Sequence, residues 1–145
     1  MAAPAFTWPP GLTLEALNAR SRGTLMETLG IVFTELGDGY LRATMPVAPR
    51  THQPYGLLHG GASVALAETL GSSAGMLAAG GNAVVGLEIN ANHLRAVRSG
   101  TVTGTTRPIH IGRSTQVWEI RIEDEAGQAV CISRITLAVL PAPPG

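Results

Sequence analysis

The longest weakly polar run of the chain, residues 60–81, constrains the fold most, because about 20 apolar residues can span a bilayer or form a central helix. Glu68 lies in the middle of the run and no charged residue flanks it as an anchor, so we reject a membrane span. Gly71 and Gly75 have a spacing that lets a helix lie close to a sheet. The sequence therefore predicts a buried central helix over residues 60–79.

The segments around this helix alternate as strands do. Two strands joined by the turn Gly37-Asp38-Gly39 precede it, and four follow it. The predicted strands are residues 31–36, 40–47, 83–94, 100–111, 115–124 and 129–140; two short amphipathic helices, residues 12–20 and 21–30, come before them. This order predicts an α+β fold rather than a parallel sheet. One helix would leave a sheet face rich in Val, Ile and Trp bare, so we expect self-association.

Length and charge set the class of protein. The 145 residues suit a single domain, residues 1–145, with flexible tails at residues 1–11 and 141–145. Ten basic and ten acidic residues balance, which gives no electrostatic footprint for nucleic acid or an anionic membrane. Cys131 is the single cysteine, which suits the reducing cytoplasm, and the N-terminus does not resemble a secretory signal. The four histidines lack the spacing of a zinc pair, so no metal is expected.

Two glycines stand where the central helix is predicted to begin. Backbone N–H groups in a first helical turn have no intrahelical acceptor, and the helix dipole is positive there. Without a side chain at Gly60, a carbonyl oxygen could approach its N–H as in an oxyanion hole. A simpler interpretation is that Gly60 and Gly61 only allow a tight turn from loop to helix.

Glu68 is a carboxylate among apolar residues of the same helix. Ser72 follows it at i+4, so the two side chains share a face. On a solvated face Glu68 would simply favour the helix, but a carboxylate on a buried helix is costly unless it is paired or used. His52, Gln53, His59 and His93 could each be ordinary structural residues. Neither a G-x-S-x-G elbow nor a phosphate-binding glycine loop is present.

Three segments together resemble a known family: HQPYGLLHGGASVALAETLGSSAG, VVGLEINANHLRAV and HIGRSTQVWEIRI. They are similar to the hotdog-fold acyl-CoA thioesterases, in the branch of 4-hydroxybenzoyl-CoA thioesterase. Within it they resemble the 1,4-dihydroxy-2-naphthoyl-CoA thioesterases and the proofreading thioesterases of enterobactin synthesis. The resemblance implies a curved six-stranded antiparallel sheet wrapped round one long helix. It also implies homodimers that assemble into homotetramers, with active sites between subunits.

The resemblance also implies roles for individual residues. Glu68 matches the catalytic carboxylate, Gly60 the oxyanion N–H, Gln53 a side chain that polarises the thioester carbonyl, His59 a neighbour of that group, and Ser72 the residue that holds the attacking water. The remaining matches are to substrate- and CoA-binding residues: Gly86, His93, Leu94, Arg95, Ala96, His110, Ile111, Gly112, Arg113, Ser114 and Thr115. Among these, His93 matches the acyl pocket, and a phosphate would suit Arg113. By position, Tyr55, Met76 and Val84 are further candidates for the acyl pocket.

Hydrolysis of an acyl-CoA or acyl-carrier-protein thioester is the implied reaction, with no cofactor beyond the CoA of the substrate. The acyl group is expected to be aromatic, with medium chains as an alternative. Glu68 would act as a general base or as a nucleophile, and the sequence leaves both open. Two other functions remain open as well: a non-catalytic acyl-CoA-binding module and a hotdog enoyl hydratase or dehydratase.

Overall fold

A computed structural model describes residues 2–142, and the last three residues of the predicted C-terminal tail lie outside that range. The helices are α1 (Leu14–Ala19), α2 (Leu25–Leu29) and α3 (Gly60–Ala78), and the strands are β1 (Val32–Gly37), β2 (Tyr40–Pro46), β3 (Val84–His93), β4 (Thr101–Ile111), β5 (Thr115–Glu123) and β6 (Ala129–Val139). A short 3-10 helix, Pro49–Thr51, follows β2. The predicted α+β order is confirmed element by element.

All six strands form one antiparallel sheet in the order β1-β2-β4-β5-β6-β3. The hairpin turns fall where glycines predict them, with Gly39 and Gly127 at φ of 72° and 74°. Strands β1 and β3 are the two edges, and β3 carries a bulge between Gly86 and Glu88. Among residues 2–142, no helix is both long and apolar enough to cross a membrane.

Helix α3 packs closely against the concave face of the sheet because of its glycines. A Cβ atom on Gly71 would lie 2.4 Å from Cγ2 of Ile135, and one on Gly75 would lie 2.2 Å from Cδ1 of Leu137. Gln116, a buried residue of β5, donates a hydrogen bond of 3.2 Å from Nε2 to the Gly75 carbonyl. The small residues of α3 thus serve close packing, as predicted.

The outer face of the sheet differs from the predicted apolar surface. Trp118, Ile120 and Ile122 all point inward toward α3 and are fully buried. On the opposite face of β5, Glu119, Arg121 and Glu123 are polar, as predicted for that strand, and Val117 is the apolar exception. Glu119 forms an ion pair with Arg121 at 2.6 Å. The uncovered face of β5 is therefore more polar than expected, because the strand period of two turns its Trp and Ile residues to the helix. The expected self-association stays a prediction.

The N-terminal arm lies against the domain through two aromatic residues. The Trp8 indole donates a hydrogen bond of 2.7 Å to the Gly37 carbonyl, and the Phe6 ring meets the Trp118 ring edge-on at 5.5 Å. Helix α1 is held against β1 by Asn18, whose amide bonds both the N–H and the carbonyl of Phe33. These contacts close the core at the end of α3 remote from Gly60. The flexibility expected of residues 1–11 stays a prediction.

Candidate active site

The start of α3 borders a cavity of about 330 Å³, here called the Gly60 cavity. It lies between the loop before α3 and the end of β3. Its walls include Gln53, Leu58, Gly60, Ser63, His93 and Arg95. Leu94 and Ala96 also reach it. The structure therefore brings together six residues that the sequence analysis assigns to the site, from two separate segments, and adds Leu58 and Ser63.

An imidazole lies in the space that a side chain at Gly60 would enter. A Cβ atom at this position would lie 2.9 Å from Nε2 of His93. As the first residue of α3, Gly60 has a backbone N–H without an intrahelical acceptor. Because the helix dipole adds positive potential at this end, the Gly60 N–H is suited to stabilising a developing negative charge on a carbonyl oxygen.

The Gln53 side chain is oriented by its own loop. The Gln53 backbone N–H donates to the Leu57 carbonyl at 2.8 Å, and its side-chain Oε1 accepts a hydrogen bond from the Tyr55 N–H. Because Oε1 is occupied, the amide NH₂ is the group left to donate into the cavity. Tyr55 itself is 82 % exposed and lines neither this cavity nor the one described below, so its place in the acyl pocket stays a prediction.

His59 lies on the opposite side of the helix start. It is the N-cap of α3, and its Nδ1 accepts a hydrogen bond of 2.8 Å from the Gly61 N–H. The exposed ring borders a different groove, which it shares with Arg50 and His52. The geometry gives His59 a structural role as a helix cap, and its catalytic role stays a prediction.

Glu68 lies two turns further along α3, beside the edge strand β3. A Cβ atom on Gly86 would lie 2.8 Å from its Oε1, so Gly86 leaves the space that the half-buried carboxylate occupies. The two ion pairs among residues 2–142 join Glu35 to Arg42 and Glu119 to Arg121, and neither involves Glu68. The carboxylate is therefore placed at the sheet edge without a cationic neighbour to hold it there.

A second cavity of about 290 Å³ begins one turn beyond Glu68 and is here called the Ser72 cavity. Its walls include Arg20, Phe33, Ser72, Ser73, Met76 and Val84. Two of the three positions proposed for an acyl pocket, Met76 and Val84, are thus found together beside the predicted water-holding serine. The cavity is open and mostly apolar, as an acyl group requires.

The two groups of predicted residues are far apart within one chain. Eight residues at the helical rise separate Gly60 from Glu68 by about 12 Å along α3. Along β3, the seven steps from Gly86 to His93 span about 23 Å. A single carbonyl carbon cannot touch both the Gly60 N–H and the Glu68 carboxylate of the same chain.

The predicted CoA-binding loop, His110 to Thr115, belongs to the Glu68 side of this division. It joins β4 to β5, and the Gly112 N–H closes it by donating to the Thr115 carbonyl at 2.9 Å. Ser114 accepts a hydrogen bond from Val139, whose Cα pairs with Val84 at the start of β3. Ile111 lies at the end of β4, and Arg113 is exposed. The loop is therefore remote from His93, Leu94, Arg95 and Ala96.

Ser63 is absent from the predicted site, although it lines the Gly60 cavity. It follows Gly60 at i+3, a spacing that places the two residues on one helical face and could have indicated it from the sequence. Nowhere in residues 2–142 do three or more His, Cys, Asp or Glu side chains meet in a group that could hold a metal ion.

Comparison with known proteins identifies the class to which this six-stranded sheet and central helix belong. Residues 55–131 match the sequence profile of the thioesterase superfamily. The chain belongs to this superfamily, so the predicted hotdog fold and thioester hydrolase are both confirmed.

Several relatives are similar over almost their whole length. The proofreading thioesterase EntH of Cronobacter sakazakii is 60 % identical over 134 residues, which cover 92 % of this chain and 98 % of the relative. The 1,4-dihydroxy-2-naphthoyl-CoA hydrolase of Escherichia coli is 55 % identical over the same shares. A crystal structure of a mutant thioesterase from Pseudomonas aeruginosa superimposes with a TM-score of 0.91 at 51 % identity, covering 93 % of this chain and 99 % of that one.

Proposed function

We propose that this protein hydrolyses aromatic acyl thioesters of CoA or of an acyl carrier protein at a site shared by two copies of the chain. The main support is the separation of the two halves: one chain holds the donors and the carboxylate about 12 Å apart along α3. The donors lie beside the end of β3 and the carboxylate lies near its start, so both groups border the same edge strand. A second copy is therefore needed to face the Gly60 donors with a carboxylate.

The edge strand β3 provides a way to join the copies. It is ten residues long, and the exposed side chains of Val85 and Leu87 lie along it. An unpaired edge of this length tends to pair with another strand. If two β3 strands pair antiparallel along their full length, Val84 of one copy lies opposite His93 of the other, and Gly86 lies two residues away. This pairing brings the second copy's Glu68 toward the first copy's Gly60 cavity. The dimers would then assemble into tetramers.

Chemistry at this shared site follows from the groups present. The Gly60 N–H and the Gln53 amide stabilise negative charge that develops on the thioester oxygen, each donor contributing on the order of a hundredfold in rate. Glu68 of the other copy either removes a proton from water held by Ser72, or attacks the carbonyl carbon to give a mixed anhydride that water then hydrolyses. The thiol leaves in either case, and no cofactor takes part. Cys131, the single cysteine, is buried and suits action in the reducing cytoplasm.

The acyl group would occupy the Ser72 cavity, and its aromatic character is supported by the relatives. One of them is named as a hydrolase of 1,4-dihydroxy-2-naphthoyl-CoA. The cavity volume of about 290 Å³ and its apolar walls suit a ring system. The loop His110 to Thr115 would hold the CoA nucleotide, with Arg113 near its phosphates.

A panel of thioesters tests the proposal. We expect benzoyl-CoA, 1,4-dihydroxy-2-naphthoyl-CoA and aryl-carrier-protein thioesters to be hydrolysed with a higher kcat/KM than medium-chain acyl-CoA. Equal or better turnover of medium chains would refute the aromatic preference. Turnover of none of them, with hydration of crotonyl-CoA instead, would favour the hydratase alternative. Single-turnover hydrolysis in H₂¹⁸O then separates the two roles of Glu68, because label enters the enzyme only if Glu68 attacks.

A further inference from the structure

Ser63 is a buried residue with its side chain at the wall of the Gly60 cavity. It is 2 % exposed and lies one helical turn after Gly60. Side chains of a helix lean toward its N-terminus, so the Ser63 hydroxyl leans toward the turn that bears the free Gly60 N–H. The hydroxyl and the N–H therefore border the same part of the cavity.

The Ser63 hydroxyl has no hydrogen-bond partner within residues 2–142, in contrast to another serine of equal burial. Ser133 on β6 is also 2 % exposed, and its Oγ donates to the Asn90 carbonyl at 2.7 Å. In the described part of the chain, no side-chain polar atom is both fully buried and unpartnered. The small surface that Ser63 retains must therefore include its hydroxyl, and that surface faces the cavity that Ser63 lines.

A hydroxyl that pairs with no protein group adds no hydrogen bond to the fold, so alanine at the same position would fold equally well. A ligand atom that accepts a hydrogen bond from this hydroxyl would explain a serine at the cavity wall. We propose that the Ser63 hydroxyl donates a hydrogen bond to the thioester carbonyl oxygen, as a third donor beside the Gly60 N–H and the Gln53 amide. This inference rests on the proposed function. The proposal gives Ser63 no role as a nucleophile, because its hydroxyl donates no hydrogen bond to a basic group among residues 2–142.

Two stable CoA analogues test this contact directly. The first is an aryl ketone, aryl–CO–CH₂–S–CoA, which presents a carbonyl oxygen. The second is the thioether aryl–CH₂–CH₂–S–CoA, which lacks it. Titration calorimetry of the wild type and of Ser63→Ala with both analogues gives the coupling between the hydroxyl and the carbonyl. We expect Ser63→Ala to weaken ketone binding about tenfold and to change thioether binding less than twofold. Equal weakening of both analogues, or no weakening of either, would overturn the proposal.

Ser133→Ala is the matched control, and thermal unfolding is the second readout. Ser133→Ala should lower the Tm, because it removes a satisfied hydrogen bond, and should leave the ratio of the two affinities unchanged. Ser63→Ala should have a Tm equal to or above that of the wild type, because it removes an unpaired hydroxyl. A Tm lowered as much as in Ser133→Ala would indicate a structural bond and contradict the inference.

Failure of this inference is distinct from failure of the proposed function. A wild type that hydrolyses no thioester and binds the two analogues equally would contradict the shared thioesterase site itself. A wild type that hydrolyses thioesters and prefers the ketone, with a Ser63→Ala variant that keeps the whole preference, would refute only the role of Ser63.

Discussion

The first turn of α3 borders a cavity, whereas the glycines beyond Glu68 pack closely against the sheet. The first turn has a free N–H at Gly60 and a cavity beside it. Beyond Glu68, Gly71 and Gly75 let the helix approach Ile135 and Leu137 so closely that a methyl group would not fit. The first turn offers hydrogen-bond donors, and the close packing beyond Glu68 holds that carboxylate at the sheet edge. In the proposed reaction neither group acts alone, so a second copy has to meet the first along the edge strand β3.

Removing the carboxylate should have the largest effect. Glu68→Gln keeps the shape of the side chain and abolishes its basicity and nucleophilicity, so we expect kcat to fall by about a thousandfold. KM and the Tm should change little. Glu15→Gln, an exposed position on α1, is the matched control and should keep full activity. If Glu68→Gln turns over at a rate near that of the wild type, Glu68 is not the catalytic group.

Pairing of two copies through the edge strand β3 is the next feature to test. Leu87 is 62 % exposed at the bulge of β3, so Leu87→Lys should leave the fold of the chain intact while placing two like charges at the paired edges. We expect light scattering to show a monomer, with activity reduced toward that of Glu68→Gln. Leu25→Lys, at a residue 64 % exposed on α2, should change neither property. A fully active Leu87→Lys monomer would show that one chain suffices.

Close packing of the second half can be tested by adding one methyl group. Gly75→Ala places a Cβ atom 2.2 Å from Cδ1 of Leu137, so it should lower the free energy of unfolding by about 1–3 kcal/mol. Combined with Leu137→Ala, which vacates that space, the loss should be smaller than the sum of the two single losses. Additive losses in chemical denaturation would mean that this contact does not set the position of α3.

The smallest effect is expected in a region that belongs to neither half of the site. The Tyr40 hydrogen bond, followed by the Arg42 guanidinium, holds the pKa of the Glu35 carboxyl below its ordinary value of 4.5. A carboxyl whose pKa is lower in the folded than in the unfolded state stabilises the fold when the pH is above the unfolded pKa. This contribution disappears as the pH falls through the folded pKa. The Tm of the wild type should thus decrease more steeply below about pH 4.5 than that of Glu35→Gln. Identical slopes would contradict this assignment.

Much of the fold could be predicted from periodicity, because strands of period two and one long helix are readable in any single sequence. The end of α3 came within one residue of its predicted position, and Gly71 and Gly75 pack as expected. The direction in which residues face was harder to predict. Composition shows that Val, Ile and Trp are present, but only the sheet register shows that Trp118 and Ile120 face the helix rather than the outside.

Prediction of the site was limited in a similar way. The Gly60 N–H and the Glu68 carboxylate were recognisable, because each is unusual in its local sequence. The spacing of Ser63 from Gly60 was readable as well, but only the structure shows that Ser63 is buried and lacks a hydrogen-bond partner in the protein. The capping bond of His59 depends on a rotamer, and the packing of Phe6 on Trp118 joins distant segments without a periodic signal.

Mixing two inactive variants tests most directly whether each active site takes its donors from one copy and its carboxylate from another. Gln53→Ala and Glu68→Gln chains are unfolded together in equal amounts and refolded, with refolded wild type as the reference. Random pairing makes half of the dimers mixed, and each mixed dimer has one intact site of two, so activity should recover to about a quarter of the wild-type value. Activity that stays at the mean of the two variants would contradict the shared site.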